Sequence, residues 1–355
     1  MKNTAGKKIK VIDLFCGIGG MTHGFVSEGF EVVAGIDNDP TCEYGYTRNN
    51  NAQFLCKDIA DVTPDEVQAL YGDCDIRVLI GCAPCQPFSH LNAKEIKKEK
   101  LVPLERFAKL IRALKPEIVS MENVKGLLDK GENTIFKKFI STLNQCGYKV
   151  SYKVINTSDY GVPQRRMRLV LLASLLGEID LISPTHIDNK KTVRDAISGL
   201  RVIKDGEVDT KDPLHRARKL SLLNKQRIKS TPKDGGSSTS WSEDLRLECH
   251  KKPSGKTFSW TVYGRMSWDE PAPTMTTQCT GLGNGRFGHP EQDRAISPRE
   301  AALIQTFPKS YEFYPSDAPL IMSVVSRHIG NAVPVRLGAV IGKSINEHLE
   351  KYAER

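Results

Sequence analysis

The sequence lacks the features of a membrane protein, a disulfide-stabilised secreted protein or a disordered chain. Its longest apolar run, Leu169 to Ala173, continues only weakly to Leu176 and is far too short to cross a bilayer. The lysine-rich N-terminus leads directly into a strand-like stretch, so no signal peptide is expected. Nine cysteines without regular spacing argue against a disulfide scaffold and favour the reducing cytoplasm. With 39% hydrophobic and 26% charged residues among 355, the chain is typical of a globular protein long enough for two domains.

Positive charge is concentrated in one part of the chain. From Lys211 to Arg265, 13 lysines and arginines stand against 5 acidic residues, and this excess of 8 is nearly the whole net charge of +9. Five aromatic residues lie in or just beyond this segment: Trp241, Phe258, Trp260, Tyr263 and Trp268. Such a segment suits a polyanion such as nucleic acid, while composition alone equally allows a solvated basic face.

Short apolar runs alternate with amphipathic stretches through the first half of the chain. Strands are predicted at residues 10–15, 31–37, 52–58, 75–81 and 117–124, with two more near 148–156 and 167–173. Helices are predicted near 20–28, 40–49, 64–71, 102–115 and 133–146. This order of βαβ units predicts an α/β fold: a Rossmann-like, doubly wound parallel sheet with helices on both faces.

The pattern changes after about Pro184. Residues 185–294 show weak periodicity and many turn formers, which predicts an irregular inserted domain. We therefore expect a catalytic and cofactor-binding domain at 1–184, the inserted domain at 185–294, and a segment at 295–355 that returns to the first domain.

The stretch "DLFCGIGG" (13–20) joins a predicted strand to a helix through a glycine-rich turn. Gly17 and Gly19 allow a tight turn, and the following helix N-terminus offers backbone N–H groups. Asp37 ends the second strand, where an acid can hold a ribose diol, and Asp58 closes the third, where it could accept from an adenine amino group. Because the glycine spacing is not the pyrophosphate-binding G-x-G-x-x-G, the pattern favours an adenosine ligand without a diphosphate, such as S-adenosylmethionine, over NAD.

Cys82 and Cys85 lie three residues apart in "GCAPCQPFSH" (81–90). They could form part of a metal site, a redox pair, or a nucleophile beside an inert thiol. A structural zinc site needs four ligands, and no second cysteine pair or nearby histidine pair has zinc-knuckle spacing. A thioredoxin-like redox pair would begin a helix, whereas here prolines bound the loop. From these residues alone, a catalytic cysteine and a buried structural thiol both remain open.

Six motifs, in order along the chain, resemble those of the DNA (cytosine-5)-methyltransferase family of the bacterial or phage modification type. They are "DLFCGIGG" (13–20), "PCQPFS" (84–89), "ENV" (122–124), "QRRMR" (164–168), "RAISPREAALIQTFP" (294–308) and "GNAVPV" (330–335). The resemblance implies methyl transfer from S-adenosyl-L-methionine to C5 of a cytosine within a short specific sequence of double-stranded DNA, with no metal. It also implies that the target base is flipped out of the duplex.

The resemblance assigns roles to the catalytic residues. Cys85 would be the thiolate that adds to C6 of cytosine and makes C5 nucleophilic, while Cys82 is interpreted as a structural thiol. Glu122 would hold or donate a proton at N3, and Arg166 and Arg168 would lie at O2 and around the nucleophile. The same motifs imply four substrate-binding residues: Gln86, Ser89, Asn123 and Gln164.

For the cofactor, the resemblance adds Phe15, whose ring would stack on the adenine, Ile59, and Asn331 from the C-terminal segment. The complete predicted set is Asp13, Phe15, Gly17, Gly19, Asp37, Asp58, Ile59, Pro84 and Asn331. Asn38 departs from the family pattern, because relatives often carry an aromatic residue there that stacks on the adenine.

Two further segments resemble functional parts of the family. The lysine-rich stretch 92–100 resembles the mobile loop that closes over DNA, and 185–294 corresponds to the target-recognition domain, where base edges are read and cations hold phosphates. We expect a monomer without membrane contact, in the cytoplasm and nucleoid-associated through DNA. A cognate restriction endonuclease could belong to the same system without stable contact.

Two alternatives differ in substrate or in class. An RNA (tRNA) cytosine-5 methyltransferase could use the same scaffold, but the Cys-Phe-Thr tripeptide and small recognition region of that branch are not found in this sequence. The other alternative is a non-catalytic DNA-binding homologue, against which the intact Cys85, Glu122, Arg166 and Arg168 argue.

Overall fold

A computed structural model describes residues 6–84, 102–128, 135–248 and 262–353 of the chain. The chain separates into two compact units. The first is Met1–Tyr160 with Met167–Thr185 and Ala332–Arg355, and the second is Gly161–Arg166 with His186–Asn331. The second unit extends further than the region predicted for target recognition, and the functional division into three segments stays a prediction.

Seven strands form one sheet in the first unit. They are β1 Ile9–Leu14, β2 Glu31–Asp37, β3 Gln53–Cys56, β4 Ile76–Gly81, β5 Ile118–Val124, β6 Lys149–Asn156 and β7 Met167–Ser174. Their order across the sheet is β3-β2-β1-β4-β5-β7-β6. All seven lie where the sequence predicted strands, and the reversal of order next to β1 is the doubly wound, Rossmann-like arrangement.

The expected parallel sheet holds for β1 to β5 but not for β7, which is antiparallel to both β5 and β6. A parallel neighbour needs a crossover connection, usually through a helix. Only residues 157–166 join β6 to β7, with one 3₁₀ turn at Thr157–Tyr160. The chain therefore turns back, and β7 begins at the sheet edge where β5 ends.

Ten α-helices lie among the described residues. They are α1 Gly20–Ser27, α2 Glu43–Asn50, α3 Pro64–Tyr71, α4 Val102–Leu114, α5 Ile135–Gln145, α6 Val193–Ile197, α7 Leu222–Ser230, α8 Pro298–Ile304, α9 Met322–Asn331 and α10 Val335–Ala353. Helices α1, α2 and α10 share one apolar core with the sheet, and α3, α4 and α5 share a second. The sheet of the first unit is therefore covered on both faces, as expected. In the part of the chain that the structure describes, no helix has the length and hydropathy needed to cross a bilayer.

A buried arginine holds loops together in the second unit, where regular structure is sparse. Arg265 is 1% exposed. Its guanidinium donates, at 2.7–3.0 Å, to four backbone carbonyl oxygens: those of Ile228, Thr231, His289 and Gln292. A buried guanidinium is tolerated because its donors are satisfied.

Part of the predicted polyanion-binding segment is therefore internal. Arg227 is buried, and its guanidinium carbon lies 5.4 Å from the ring centre of Trp241 and 5.2 Å from that of Tyr263. Trp241 is itself buried, and its indole Nε1 donates to Thr231 Oγ1 at 2.8 Å. Arg227, Arg265 and Trp241 therefore pack inside the unit, and a polyanion-binding surface would have to use other residues of this segment.

Candidate active site

Most of the described site residues of the first unit lie at one edge of its sheet. The parallel strands β1, β2, β4 and β5 end there, and the antiparallel β7 begins there. In open α/β sheets, ligands bind outside the carboxyl ends of the strands. Three predicted residues, Cys85, Gln86 and Ser89, lie outside the described residues, as does the lysine-rich stretch 92–100.

A cleft at this edge contains five of the predicted cofactor residues: Phe15, Asp37, Asp58, Ile59 and Pro84. Its wall is completed by Ile36, Asn38, Lys57, Val102 and Pro103. An aromatic ring, two carboxylates and apolar side chains are the groups that an adenosine needs for stacking, for its diol and for its amino group. The residues present therefore fit an adenosine-containing cofactor.

Asp37 connects this cleft to the glycine turn. Its Oδ2 accepts the backbone N–H of Gly17 at 2.8 Å, and its Oδ1 accepts that of Asp39 at 3.0 Å. Gly17 has φ of +50°, the left-handed region that favours glycine. Burial raises the pKa of Asp37, although these N–H groups partly oppose the rise. Since each carboxylate oxygen has two lone pairs, Asp37 retains acceptor capacity for a diol.

Asp13 and Gly19 support the turn instead of contributing to the cleft wall. Asp13 is buried, and the hydroxyl of Thr22 donates to its Oδ2 at 2.7 Å. Burial raises the pKa of Asp13 to about 7. Gly19 is the N-cap of α1, with φ of +88°. These contacts tie the end of β1 to α1, and direct contact of either residue with a cofactor stays a prediction.

Asn38, the departure from the family pattern, contacts another residue of the cleft. Its Nδ2 donates to Asp58 Oδ2 at 3.3 Å, and Asp58 Oδ1 accepts the N–H of Ala60 at 2.8 Å. The side chain of Asn38 therefore orients the acid that was predicted to recognise the adenine amino group.

Glu122 lies near the end of β5 and is 1% exposed. In the antiparallel ladder it is opposite Val170, while Val124 is opposite Arg168. Glu122 and Arg168 are thus diagonal neighbours on the same face. The Arg168 Nε lies 2.9 Å from Glu122 Oε1, so the structure brings together two of the predicted catalytic residues.

Cys82 contacts this carboxylate, which the sequence did not lead us to expect. The thiol of Cys82 donates to Glu122 Oε2 at 2.8 Å. The strand register explains the contact, because Gly81 of β4 pairs with Met121 of β5, and the next residues along each strand are therefore level. The predicted parallel sheet, in which strands end at the same edge, was the available signal, but it did not specify which strands pair or in which register.

Asn123 points to the opposite face of β5 from Glu122, because successive side chains alternate along a strand. It is buried, and its Nδ2 donates to the carbonyl oxygen of Ala83 at 3.2 Å. Ala83 lies two residues before Cys85 in the sequence. Asn123 therefore holds the backbone that leads into the predicted nucleophile motif.

The second unit contains the remaining predicted residues. Gln164 uses both ends of its amide there: Nε2 donates to Gln305 Oε1 at 2.7 Å, and Oε1 accepts the N–H of Met275 at 2.8 Å. The Arg166 guanidinium is buried and donates to the carbonyl oxygen of Met275 at 3.2 Å. Asn331 is the last residue of α9. Their substrate and cofactor roles stay predictions.

Known proteins resemble this chain along nearly its whole length. The family model "C-5 cytosine-specific DNA methylase" matches residues 9–347. The Type II methylase M.HgiDII of Herpetosiphon aurantiacus is 52% identical over 347 residues, covering 97% of each chain. The Type II methyltransferase M.PspPI of a Psychrobacter species is 31% identical, covering 96% of this chain and 79% of its own.

A solved structure shares the fold. It is described as a DNA modification methyltransferase encoded within a prophage of E. coli, and it superposes with a TM-score of 0.73 at 21% identity. The match covers 96% of this chain and 99% of that chain. At this identity the likeness shows the fold alone.

Proposed function

We propose that this chain, a DNA (cytosine-5)-methyltransferase that belongs to the C-5 cytosine-specific DNA methylase family, methylates one cytosine within a short specific sequence of double-stranded DNA. S-adenosylmethionine would be the methyl donor. The observation that carries the proposal is the buried Glu122, held by Arg168 and Cys82 at the sheet edge that also bears the adenosine-fitting cleft. The site thus combines a carboxyl group that can hold a proton with a cleft that fits the methyl donor.

The cofactor would be held by residues of the cleft in the first unit. The Phe15 ring would stack on the adenine, Asp37 would accept from the ribose hydroxyls, and Asp58 from the adenine amino group. Asn38 supports the last contact by orienting Asp58. When bound, S-adenosylmethionine supplies an electrophilic methyl group.

Cys85 and Glu122 would activate the target base together. The Cys85 thiolate adds to C6, which moves electron density into the ring; Glu122, protonated, donates a hydrogen bond or proton at N3 and stabilises that density. Arg168 and Arg166 would contact O2 and surround the nucleophile. C5 becomes enamine-like and would take the methyl group, leaving S-adenosylhomocysteine. A water molecule would then accept the C5 proton as the Cys85–C6 bond breaks, N3 would return any proton that it took to Glu122, and the thiolate would be regenerated. Since C5 and C6 are inaccessible in a stacked duplex, the base is flipped out before attack.

The second unit would supply target recognition, with its lysines and arginines at phosphates and polar groups at base edges. Arg227 and Arg265 are excluded from this role by their burial. By likeness to Type II methylases, we also propose that the enzyme belongs to a restriction–modification system.

The proposal is tested by transfer of labelled methyl groups. Purified protein with S-adenosylmethionine should label unmethylated genomic DNA at C5 of cytosine, in one sequence context once the product is sequenced. Transfer to tRNA but not to DNA would favour the RNA-modifying alternative. Tight DNA binding without transfer to either would indicate a non-catalytic homologue.

A further inference from the structure

Cys82 has no chemical part in the mechanism proposed above, yet its thiol contacts the carboxyl group on which that mechanism depends. Its Sγ lies 2.8 Å from Glu122 Oε2, with the thiol as donor. A hydrogen bond in a buried site of low dielectric constant is stronger than the same bond in water. With Glu122 only 1% exposed, this contact fixes how the carboxyl group is oriented.

The two oxygens of Glu122 are in different environments. Oε2 accepts the hydrogen bond of Cys82. Oε1 lies 2.9 Å from Arg168 Nε as an ion pair, but it accepts no aligned hydrogen bond from any residue that the structure describes. A carboxyl oxygen has two lone pairs, so Oε1 can meet a further partner beside the guanidinium. Among the described residues, Oε1 is therefore the oxygen of Glu122 without an aligned hydrogen bond.

The fold sets this asymmetry. Residue 81 pairs with residue 121 in the parallel β4–β5 ladder, so Cys82 is level with Glu122 as the chain leaves β4. Arg168 approaches the same carboxyl group from β7, the strand on the other side of β5. Each neighbouring strand thus provides one partner, and each partner meets a different oxygen.

We propose that Cys82 is a positioning residue for Glu122: its thiol occupies Oε2, so that Oε1 is the oxygen presented to N3 of the flipped cytosine. This inference rests on the proposed function, because it requires Glu122 to act at the base. The alternative is a thiol that only packs, since Cys82 also contacts the apolar core of the first unit.

Two substitutions separate these roles. Cys82→Ala removes the donor, and we expect the single-turnover rate of methyl transfer to fall by up to about tenfold, the upper end of the effect of losing one ordinary hydrogen bond. The KM values for DNA and cofactor should change less than about twofold, because the thiol acts only through Glu122. Cys82→Ser keeps a donor of similar size, and its rate should stay within about threefold of wild type.

A packing role predicts the opposite order, because a hydroxyl against the apolar core costs more than a methyl group. A Cys82→Ser variant as slow as Cys82→Ala, or a Cys82→Ala variant at the wild-type rate, would overturn the proposal. The double variant Cys82→Ala/Glu122→Gln distinguishes an effect that acts through Glu122 from a general loss of folded protein. If Cys82 acts through Glu122, the double variant should be no slower than Glu122→Gln alone, whereas independent losses would multiply and refute the inference.

The same series distinguishes this inference from the proposed function. If Glu122→Gln is strongly impaired but Cys82→Ala is not, only the positioning role fails. If Glu122→Gln transfers methyl groups at the wild-type rate, the proposed role of Glu122 fails and the inference fails with it.

Discussion

Asp37 and Gly17 are 20 residues apart in the sequence, and Asp37 Oδ2 accepts the backbone N–H of Gly17 at 2.8 Å. This bond ties the glycine turn to the end of β2, which lies next to β1 in the sheet. Phe15, with φ of +59°, lies in the same turn and lines the cleft. One carboxyl group therefore both shapes the turn and contributes to the proposed cofactor site.

Replacing Asp37 by Asn should weaken cofactor binding by about ten- to hundredfold, the range for hydrogen bonds to a charged group. The amide loses the charge and presents a donor where two backbone N–H groups need acceptors. Calorimetric titration with S-adenosylmethionine measures the change. Asp61→Asn, at an exposed acid, is the matched control and should bind like wild type. Equal affinities for all three proteins would contradict the role of Asp37.

Local pattern predicted the elements of the first unit but not how they meet. The strands are predictable because apolar runs bounded by turn residues are typical of buried strands. The direction of β7 depends on how the chain connects β6 to β7, and hydrophobic periodicity carries no information about that connection. The Cys82–Glu122 contact depends on register between strands 40 residues apart. Composition likewise could not show that Arg265 faces inward, because irregular loops can bury a cation among their own carbonyl groups.

DNA affinity should fall steeply with salt, because exposed cations of the second unit would displace counterions from phosphates. Replacing Lys251 and Lys252, which lie outside the described residues, with Ala should reduce the slope of log K against log salt by up to about 1.8, at about 0.9 for each phosphate contact. The methylated sequence should stay the same. Fluorescence anisotropy over a salt series measures the slope.

The control for the salt series removes two charges from the first unit. Lys343 and Lys351 are exposed on α10, so the pair Lys343→Ala and Lys351→Ala matches the change in net charge. If both pairs reduce the slope equally, net charge and not local contact governs binding, and the assignment of Lys251 and Lys252 is wrong.

Acid should destabilise the second unit through His289. Burial lowers the pKa of His289 to about 4, from an ordinary value of 6.5, and its Nδ1 accepts the N–H groups of Glu291 and Gln292. Between these two pH values the unfolded chain binds a proton that the folded unit does not. Stability is therefore complete above pH 6.5 and decreases as the pH falls toward 4, by on the order of 3 kcal/mol for the whole shift.

Denaturant unfolding of the full chain from neutral pH to about pH 4.5 tests this. Asp13 contributes with the opposite sign, because its raised pKa stabilises the folded chain as the pH falls, but this contribution is the same in both proteins. In His289→Gln, whose amide oxygen can accept but does not titrate, the stability at pH 4.5 relative to neutral pH should therefore be higher than in wild type. Glu300 makes no competing change there: burial raises its pKa, but Arg294 outweighs this and holds it at about 2, so its contribution is lost only below pH 4.5. Identical pH profiles for wild type and His289→Gln would exclude His289 as the cause.

Fluorine at C5 should trap the reaction before its last step. If Cys85 attacks C6 and the C5 proton must leave before release, fluorine blocks elimination, since it cannot depart as a cation. A duplex with 5-fluorocytosine at the target should give a protein–DNA complex that survives denaturation and requires S-adenosylmethionine. Denaturing gel electrophoresis follows its formation with time.

The variants assign the steps that lead to this complex. Glu122→Gln should form it about 10²- to 10⁴-fold more slowly, because the ring lacks its proton source during attack. Arg168→Ala should also be slower, both because the hold on O2 weakens and because Glu122 loses the guanidinium 2.9 Å from its Oε1. Cys85→Ser should give no complex, while Cys82→Ser, the neighbouring thiol, should give it readily. A stable adduct in Cys85→Ser, or none in the wild type on its own target sequence, would refute covalent attack by Cys85, because no other residue of the site is proposed to bond to C6.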